Sequence, residues 1–174
     1  MSEQAASIDI AAFRDAFSGL AGAVSVLSVG GGDDRTGLTA TSVSAFSAEP
    51  PTVGINVNTG SSSWGAIQRH GRFCINVLAA GQEHVAERFA GKGGISGADR
   101  YTGAVWTRLV SGAPVLEGAL TNIDCELDHI MIRHSHALVI GRIVSLRTND
   151  AVRPLLYWRR GFFSLDTPQS LAAE

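Results

Sequence analysis

Residues 36–44 combine small hydroxyl side chains with an absence of charge. Thr, Val and Ser favour extended backbone, so we expect a strand here with little side-chain bulk on its surface. Such a surface offers hydroxyl and backbone donors to a flat ligand that lies against the strand. A half-exposed antiparallel strand with Ser and Thr on its outer face explains the same residues, and the segment alone does not separate the two interpretations.

Three serines, Ser61, Ser62 and Ser63, follow Gly60 and precede a segment with helical spacing. Free N–H groups at a helix start, the helix dipole and three hydroxyls favour an anion, and phosphate is the usual one. Ser is also a preferred N-cap residue, so a single serine is explained by capping alone. Phosphate binding and helix capping both remain open for this segment.

Two histidines, His134 and His136, lie at the start of the apolar run at residues 137–140. Because this run leads into an apolar strand, we expect both histidines to share a face at the mouth of that strand. Two His without a nearby thiol or carboxylate fall short of the three protein ligands of catalytic zinc, so we predict no metal site. A His here could orient a substrate ring, or it could be an exposed polar flank.

The Gly-rich segment at residues 90–100 carries Lys92 and is too polar to be core. It could close over a ligand and bring Lys92 near a phosphate, or it could be a mobile surface loop. It does not have the P-loop frame, in which Lys follows the last Gly, and no dinucleotide fingerprint is present elsewhere. No Gly-x-Ser-x-Gly elbow supports nucleophilic hydrolysis.

The composition indicates one globular domain. Of 174 residues, 45% are hydrophobic and 17% charged, which is enough for a sizeable core. The net charge of -2 and the lack of a basic patch argue against nucleic acid and membranes as partners. Cys74 and Cys125 lie in apolar runs, which predicts buried, reduced thiols and a cytoplasmic location.

Short strands with a few helices are predicted to position these residues. Ile10, Phe13 and Phe17 recur at helical spacing after Asp9, a plausible N-cap, so we expect an amphipathic helix over one end of a sheet. Further helices are expected at residues 64–70 and 82–89. Strands are expected at residues 23–29, 36–49, 53–58, 72–78, 104–109, 120–131 and 137–146, with a strand pair at 155–165. This pattern predicts an antiparallel barrel and not a parallel α/β fold.

Several segments, in this order and spacing, resemble the short flavin reductase family, the reductase partners of two-component flavin monooxygenases. The resemblance covers residues 13–165 and departs from the family at residues 30–35 and 133–135. The segments that carry it are residues 37–51, 58–64, 73–78, 89–91, 114–118, 136–141 and 154–157.

The resemblance implies one flavin reductase-like domain over residues 1–174: a mainly β, Greek-key split β-barrel of the FMN-binding type with a few peripheral short helices. It implies a homodimer with flavin near the interface, and NAD(P)H-dependent reduction of FMN or FAD for a partner monooxygenase. The triple serine favours FMN, while NADH and NADPH stay open. The alternative is a non-enzymatic flavin-binding or electron-carrier protein on the same barrel.

The resemblance also assigns roles at matching positions. His136 matches the histidine associated with nicotinamide binding. Phe89, Gly91 and Lys92 would lie beside the flavin. The remaining flavin-binding positions are Thr39, Ala40, Thr41, Ser42 and Ser47 for the isoalloxazine and ribityl parts, and Asn58, Ser61, Ser62, Ser63 and Trp64 for the ribityl and phosphate parts. The aromatic residues Tyr157, Trp158, Phe162 and Phe163 are expected to be core and subunit contacts and not a stacking platform.

Overall fold

The computed structural model describes residues 8–165, which form three short α-helices and twelve strands. The helices are α1 (Ile10–Ser18), α2 (Trp64–His70) and α3 (Glu83–Phe89). Single 3-10 turns occur at Gly32–Asp34, Lys92–Gly94 and Gly97–Tyr101. The strands are β1 (Gly22–Ala23), β2 (Ser25–Val29), β3 (Thr36–Ala40), β4 (Ser44–Ala48), β5 (Pro51–Asn58), β6 (Arg72–Val77), β7 (Trp106–Arg108), β8 (Pro114–Leu116), β9 (Thr121–Arg133), β10 (His136–Thr148), β11 (Leu155–Trp158) and β12 (Gly161–Ser164).

A seven-stranded antiparallel sheet organises the molecule, with strand order β3-β2-β6-β9-β10-β5-β4. Two smaller antiparallel sheets, β1-β11-β12 and β7-β8, accompany it. The predicted mainly β, antiparallel architecture is confirmed. Within residues 8–165 no sheet closes on itself through hydrogen bonds, so the barrel stays a prediction.

The large sheet is buried on both faces where β2 runs through it. Val26 and Leu27 are fully buried and belong to different core clusters, because successive strand residues point to opposite faces. Leu27 packs in the cluster that contains Ile67 of α2, and Val26 in the cluster that contains Phe89 of α3. Burial of each such side chain contributes roughly 1.5–3 kcal/mol. The two helices therefore hold β2 and its neighbours from opposite sides.

Gly37 sets how closely α3 approaches β3. A Cβ atom at this position would lie 2.3 Å from the Leu27 carbonyl oxygen and 2.5 Å from the Phe89 ring. No side chain fits in that space, so only glycine lets the ring of Phe89 pack against the strand. This contact holds α3 close against β3.

The first helix begins as predicted but does not cover a sheet. The Asp9 carboxylate caps it by accepting a hydrogen bond of 3.3 Å from the Ala12 N–H. No residue of α1 is buried, and Phe13 and Phe17 are 51% and 57% exposed. The predicted packing of α1 over a sheet end is therefore wrong within this chain. Two hydrogen bonds hold its C-terminal end, from the Arg159 N–H to the Ser18 carbonyl oxygen at 2.8 Å and from the Trp158 indole N–H to the Gly19 carbonyl oxygen at 3.1 Å.

The segment at residues 36–44 is not one strand. β3 ends at Ala40, and β4 begins at Ser44 on the opposite edge of the large sheet. The Ser42 hydroxyl accepts a hydrogen bond of 3.2 Å from the Asn56 N–H, so a side chain replaces strand pairing at this crossing. The strand predicted at residues 23–29 is divided into β1 and β2. Strand β8 has three residues, too few for an alternating pattern, and was not predicted.

Both cysteines are free and fully buried, as predicted. Burial raises the pKa of the Cys74 and Cys125 thiols above the usual value. Within residues 8–165, no helix is both long and apolar enough to cross a membrane.

Candidate functional site

A cavity of about 470 Å³ opens beside the second half of β3. Three elements surround it: the end of β3, one face of α3 and the β11–β12 hairpin. The residues that line it are Val24, Thr39, Ala40, Thr41, Ala86, Glu87, Ala90, Lys92, Tyr157, Arg160 and Phe162. Of the sequence-predicted residues, Thr39, Ala40, Thr41 and Lys92 are thereby brought together.

The β3 wall of this cavity is held in place from behind. The Thr39 hydroxyl donates a hydrogen bond of 2.6 Å to the Ala86 carbonyl oxygen, which joins β3 to α3. Thr41 lies against Gly22, where a Cβ atom would come within 3.1 Å of the Thr41 Cβ. Because the residues at 39–41 are small and fixed, they leave an open, ordered surface with backbone and hydroxyl groups.

The β11–β12 hairpin contributes the aromatic wall. Tyr157 and Phe162 are paired across the two strands, with ring centroids 5.3 Å apart in an edge-to-face arrangement. Arg159 and Arg160 have φ values of 44° and 65°, so they form the two-residue turn that a tight hairpin requires. This turn brings Arg160 into the cavity. The strand pair and its turn were predicted correctly, whereas the assignment of Tyr157 and Phe162 to core and subunit contacts missed their place in the cavity wall.

Charge in the cavity comes from three side chains. Lys92 and Glu87 form an ion pair of 2.6 Å, and both are substantially exposed. Arg160 has no hydrogen-bond or ion-pair partner among residues 8–165. The lining therefore carries two cations and one anion, an excess that favours an anionic ligand.

The Gly-rich segment at residues 90–100, considered above as a lid, is hydrogen-bonded to α3. The Arg100 guanidinium donates to the Phe89 carbonyl oxygen, and Arg88 donates to the Asp99 carbonyl oxygen. Gly91, with φ of 79°, starts the turn that carries Lys92 to the cavity. Phe89 itself is buried, 5.0 Å from the Tyr101 ring, and lies beneath the cavity wall and outside its lining.

The serine segment lies beside the first half of β3 and outside the cavity lining. Ser63 occupies the N-cap position of α2, but its hydroxyl donates to the Gly37 carbonyl oxygen at 2.6 Å and caps no N–H. Ser62 is exposed, whereas the Ser61 hydroxyl oxygen is buried with no partner among the described residues. Trp64 packs against the core cluster of α2. Simple capping therefore does not explain these serines.

His136 lies next to the serine segment. It is the register partner of Asn58 across β10 and β5. Thr59 donates its N–H and its hydroxyl to the Ser135 carbonyl oxygen, at 3.0 and 3.2 Å. The Asn58 side chain in turn accepts the Gly60 N–H at 2.8 Å. The structure thus places His136, predicted to meet nicotinamide, beside Asn58, predicted to hold the ribityl and phosphate parts.

His134 does not share a face with His136, and that prediction is wrong. It lies in the turn between β9 and β10 with φ of 52°, so only His136 belongs to the strand. Among residues 8–165, no three His, Cys, Asp or Glu side chains cluster closely enough to hold a metal ion.

Ser42 and Ser47 lie away from the cavity. Ser42 bonds to the backbone of Asn56, and Ser47, on β4, donates to the Glu49 carbonyl oxygen at 3.2 Å. The predicted site residues therefore form three groups within one chain: the cavity group, the serine segment with His136, and the β4 edge. Sequence analysis missed Val24, Ala86, Glu87, Ala90 and Arg160, which have ordinary core, helix or turn signals and meet only in the folded chain.

Comparison with known proteins identifies the family. Residues 17–166 match the model of the flavin reductase like domain. FMN reductase (NADH) RutF 2 from Methylorubrum extorquens is 39% identical over 167 residues, covering 94% of this chain and 94% of that protein.

Two solved structures share the fold over nearly the whole chain. Nitrilotriacetate monooxygenase component B from Mycobacterium thermoresistibile is 28% identical with a TM-score of 0.84, covering 94% of this chain and 90% of that one. BorF, the flavin reductase component of a bacterial two-component tryptophan halogenase, is 30% identical with a TM-score of 0.84, covering 91% and 99%. The chain therefore belongs to the flavin reductase family.

Proposed function

We propose that this chain is an NADH-dependent flavin reductase whose flavin ring occupies the cavity beside β3. The observation that carries the proposal is the shape of that cavity, in which small residues of β3 face the aromatic residues Tyr157 and Phe162. Small residues leave room for a flat ring, and aromatic faces can stack on it. The relative named FMN reductase (NADH) supports the choice of FMN and NADH.

The ribityl chain and phosphate are assigned to Asn58, Ser61, Ser62 and Ser63. The buried Ser61 hydroxyl supports this assignment, because a buried polar group without a partner costs about 1–3 kcal/mol and a bound phosphate or ribityl hydroxyl would remove that cost. Trp64, next in the chain, would flank this part of the flavin.

A homodimer would join the separate groups of site residues. In one chain the serine segment lies outside the cavity lining, and a second copy would add further groups around a flavin that reaches both. Two exposed apolar features support a second copy as the partner: α1, with no buried residue, and the edge strand β4, where Phe46 is 57% exposed. Ser47 lies on this edge strand and Ser42 in the crossing that precedes it, and both would meet the flavin there. The split barrel belongs to the same proposal, with β3 and β4 as the edges of the open sheet.

The reaction requires position more than side-chain chemistry. Nicotinamide supplies a hydride and the flavin ring accepts it, so the cofactors carry the reactive atoms. Thr39, Ala40 and Thr41 would fix one face of the ring, and Phe162 with Tyr157 would exclude water from its edge. Phe89 would support the cavity from beneath, through its contact with Gly37.

His136 would position the nicotinamide. Its ring nitrogen Nδ1 lies 3.0 Å from the Ser135 hydroxyl, which fixes the ring orientation and leaves Nε2 for a ligand. Lys92, turned into the cavity at Gly91, would attract the phosphates of the incoming dinucleotide. His136 is therefore assigned to substrate orientation and not to acid or base catalysis.

The reduced flavin would serve a separate monooxygenase. Two structural neighbours are named as components of such two-component systems, a monooxygenase and a halogenase. Loose binding of flavin is the physical requirement, because the reduced product must leave for the partner enzyme. A cytoplasmic setting with reduced thiols agrees with the two free, buried cysteines.

Steady-state oxidation of NADH tests the proposal. The purified chain is assayed first without added flavin and then with FMN, FAD or riboflavin. We expect turnover that saturates with free flavin, with FMN preferred over riboflavin because of its phosphate. Absence of turnover with NADH and NADPH, in a yellow protein that keeps its flavin through dialysis, would instead establish the binding or electron-carrier alternative.

A further inference from the structure

A second cleft, of about 460 Å³, lies at the opposite end of β3 from the flavin cavity. It is formed by the turn that precedes β3 and by the β7–β8 pair. Its lining consists of Gly31, Gly32, Arg35, Trp106, Thr107, Arg108 and Pro114. We call it the Arg35–Arg108 cleft. No acidic residue lines it, so its two arginines have no counter-ion within the lining.

Arg35 is held rigidly at one side of this cleft. Its guanidinium carbon lies 4.8 Å from the centre of the Tyr101 ring, a cation–π contact. Tyr101 is fixed in turn, because its buried hydroxyl donates to the Thr36 carbonyl oxygen at 2.5 Å. The Nε atom of Arg35 is buried and has no hydrogen-bond acceptor among residues 8–165. A buried charged donor without a partner is costly, and an anion in the cleft would satisfy it.

Arg108 lies across the cleft from Arg35. Its Nη2 atom lies 3.9 Å from the position that a Cβ atom on Gly31 would occupy. The Arg108 guanidinium therefore lies near the glycine turn. Within the described residues neither arginine has an ion-pair partner, whereas Arg69, Arg142 and Arg147 each pair with a carboxylate.

The nearest acids in the sequence do not neutralise the cleft. Asp33 and Asp34 both lie outside its lining. Asp34 is already engaged by Arg69 at 3.0 Å and by His70 at 2.7 Å. Among the described residues, no ion pair therefore compensates the two positive charges of the cleft.

We propose that the Arg35–Arg108 cleft is a binding site for a phosphate-bearing small molecule, separate from the flavin cavity. Two guanidinium groups with no acid between them match the charge of a phosphate dianion better than that of a carboxylate. The Thr107 hydroxyl offers a further donor at the same cleft. The site depends on no part of the proposed flavin chemistry.

Isothermal titration of the full chain with inorganic phosphate tests this site, with acetate as a monoanion in a parallel arm. We expect saturable phosphate binding that is at least about tenfold tighter than acetate binding. Arg108→Gln, at an exposed position, should weaken phosphate binding by about tenfold or more, since it removes a charge-assisted hydrogen bond. Arg35→Lys keeps the positive charge but loses the planar guanidinium group with its paired donors. We therefore expect this variant to weaken phosphate binding by a similar factor.

A control variant separates a specific effect at this cleft from a general effect of charge. Arg14→Gln makes the same charge change on the exposed face of α1 and should leave phosphate binding unchanged. The proposal is overturned if the wild-type chain shows no saturable binding or binds acetate equally well. It is also overturned if Arg108→Gln binds like wild type, or if Arg14→Gln loses binding as much as Arg108→Gln does.

Discussion

The hydroxyl of Ser63 donates a hydrogen bond of 2.6 Å to the carbonyl oxygen of Gly37, joining the start of α2 to strand β3. Both groups are buried, and the same glycine receives the ring of Phe89 from α3 on its other side. The serine segment and the cavity proposed for flavin thus share strand β3 as their common support. A change at Ser63 should therefore affect the fold, whereas a change at its exposed neighbour should affect only ligands.

Ser63→Ala and Ser62→Ala separate these two roles. Ser63→Ala should lower the free energy of unfolding by about 1 kcal/mol, because it removes a buried hydrogen bond. Ser62→Ala should leave stability within about 0.5 kcal/mol of wild type but weaken FMN binding by roughly threefold to tenfold. Thermal unfolding and flavin titration measure the two effects. Riboflavin, which has no phosphate, is the control ligand, and an equal loss of riboflavin affinity in Ser62→Ala would contradict the phosphate assignment.

Replacement of His136 should affect nicotinamide more than flavin. We expect His136→Ala to raise the KM for NADH by about tenfold, because the loss of one orienting contact is worth about 1.4 kcal/mol. The Kd for FMN should stay unchanged. His134→Asn is the matched control, because Asn tolerates the positive φ of that turn position. Steady-state kinetics at limiting NADH give the result, and an unchanged KM in His136→Ala would remove His136 from the nicotinamide site.

The two cysteines should be unreactive in the folded protein. Burial raises the pKa of both thiols, so less thiolate is present near neutral pH than for an exposed cysteine, and access is also blocked. A colorimetric thiol reagent should label neither Cys74 nor Cys125 until denaturant is added, and then both. Rapid labelling of the native chain would contradict this prediction, because it would show that Cys74 on β6 or Cys125 on β9 is readily exposed to solvent.

The parts of the fold that sequence predicted are those with a local cause. Asp9 caps α1 because its carboxylate reaches an N–H three residues away, and Gly71 ends α2 because φ of 59° suits glycine. The hairpin of β11 and β12 follows from two pairs of aromatic residues on either side of the turn that contains Arg159 and Arg160. Each of these signals lies within a few residues of the feature that it predicts.

The errors concern contacts made across the fold. Phe13 and Phe17 have the spacing of a buried helix face, but spacing does not reveal whether the partner surface belongs to the same chain. His134 was assigned to a strand because the turn between β9 and β10 has no glycine or proline to mark it. The cavity residues Ala86, Glu87 and Ala90 follow a helical pattern, and only the packing of α3 on β3 makes them part of a site.

The most direct test of the flavin assignment fills the cavity. Ala90 is exposed at the C-terminal end of α3 and lines the cavity, so Ala90→Trp should occupy the space of the ring without disturbing the core. Ala151→Trp, at an exposed turn elsewhere, is the matched control. The measurement is the rate of NADH oxidation as FMN is varied. We predict at least about a tenfold rise in the KM for FMN in Ala90→Trp and none in Ala151→Trp. A folded Ala90→Trp variant that saturates with FMN like wild type would show that the flavin binds elsewhere.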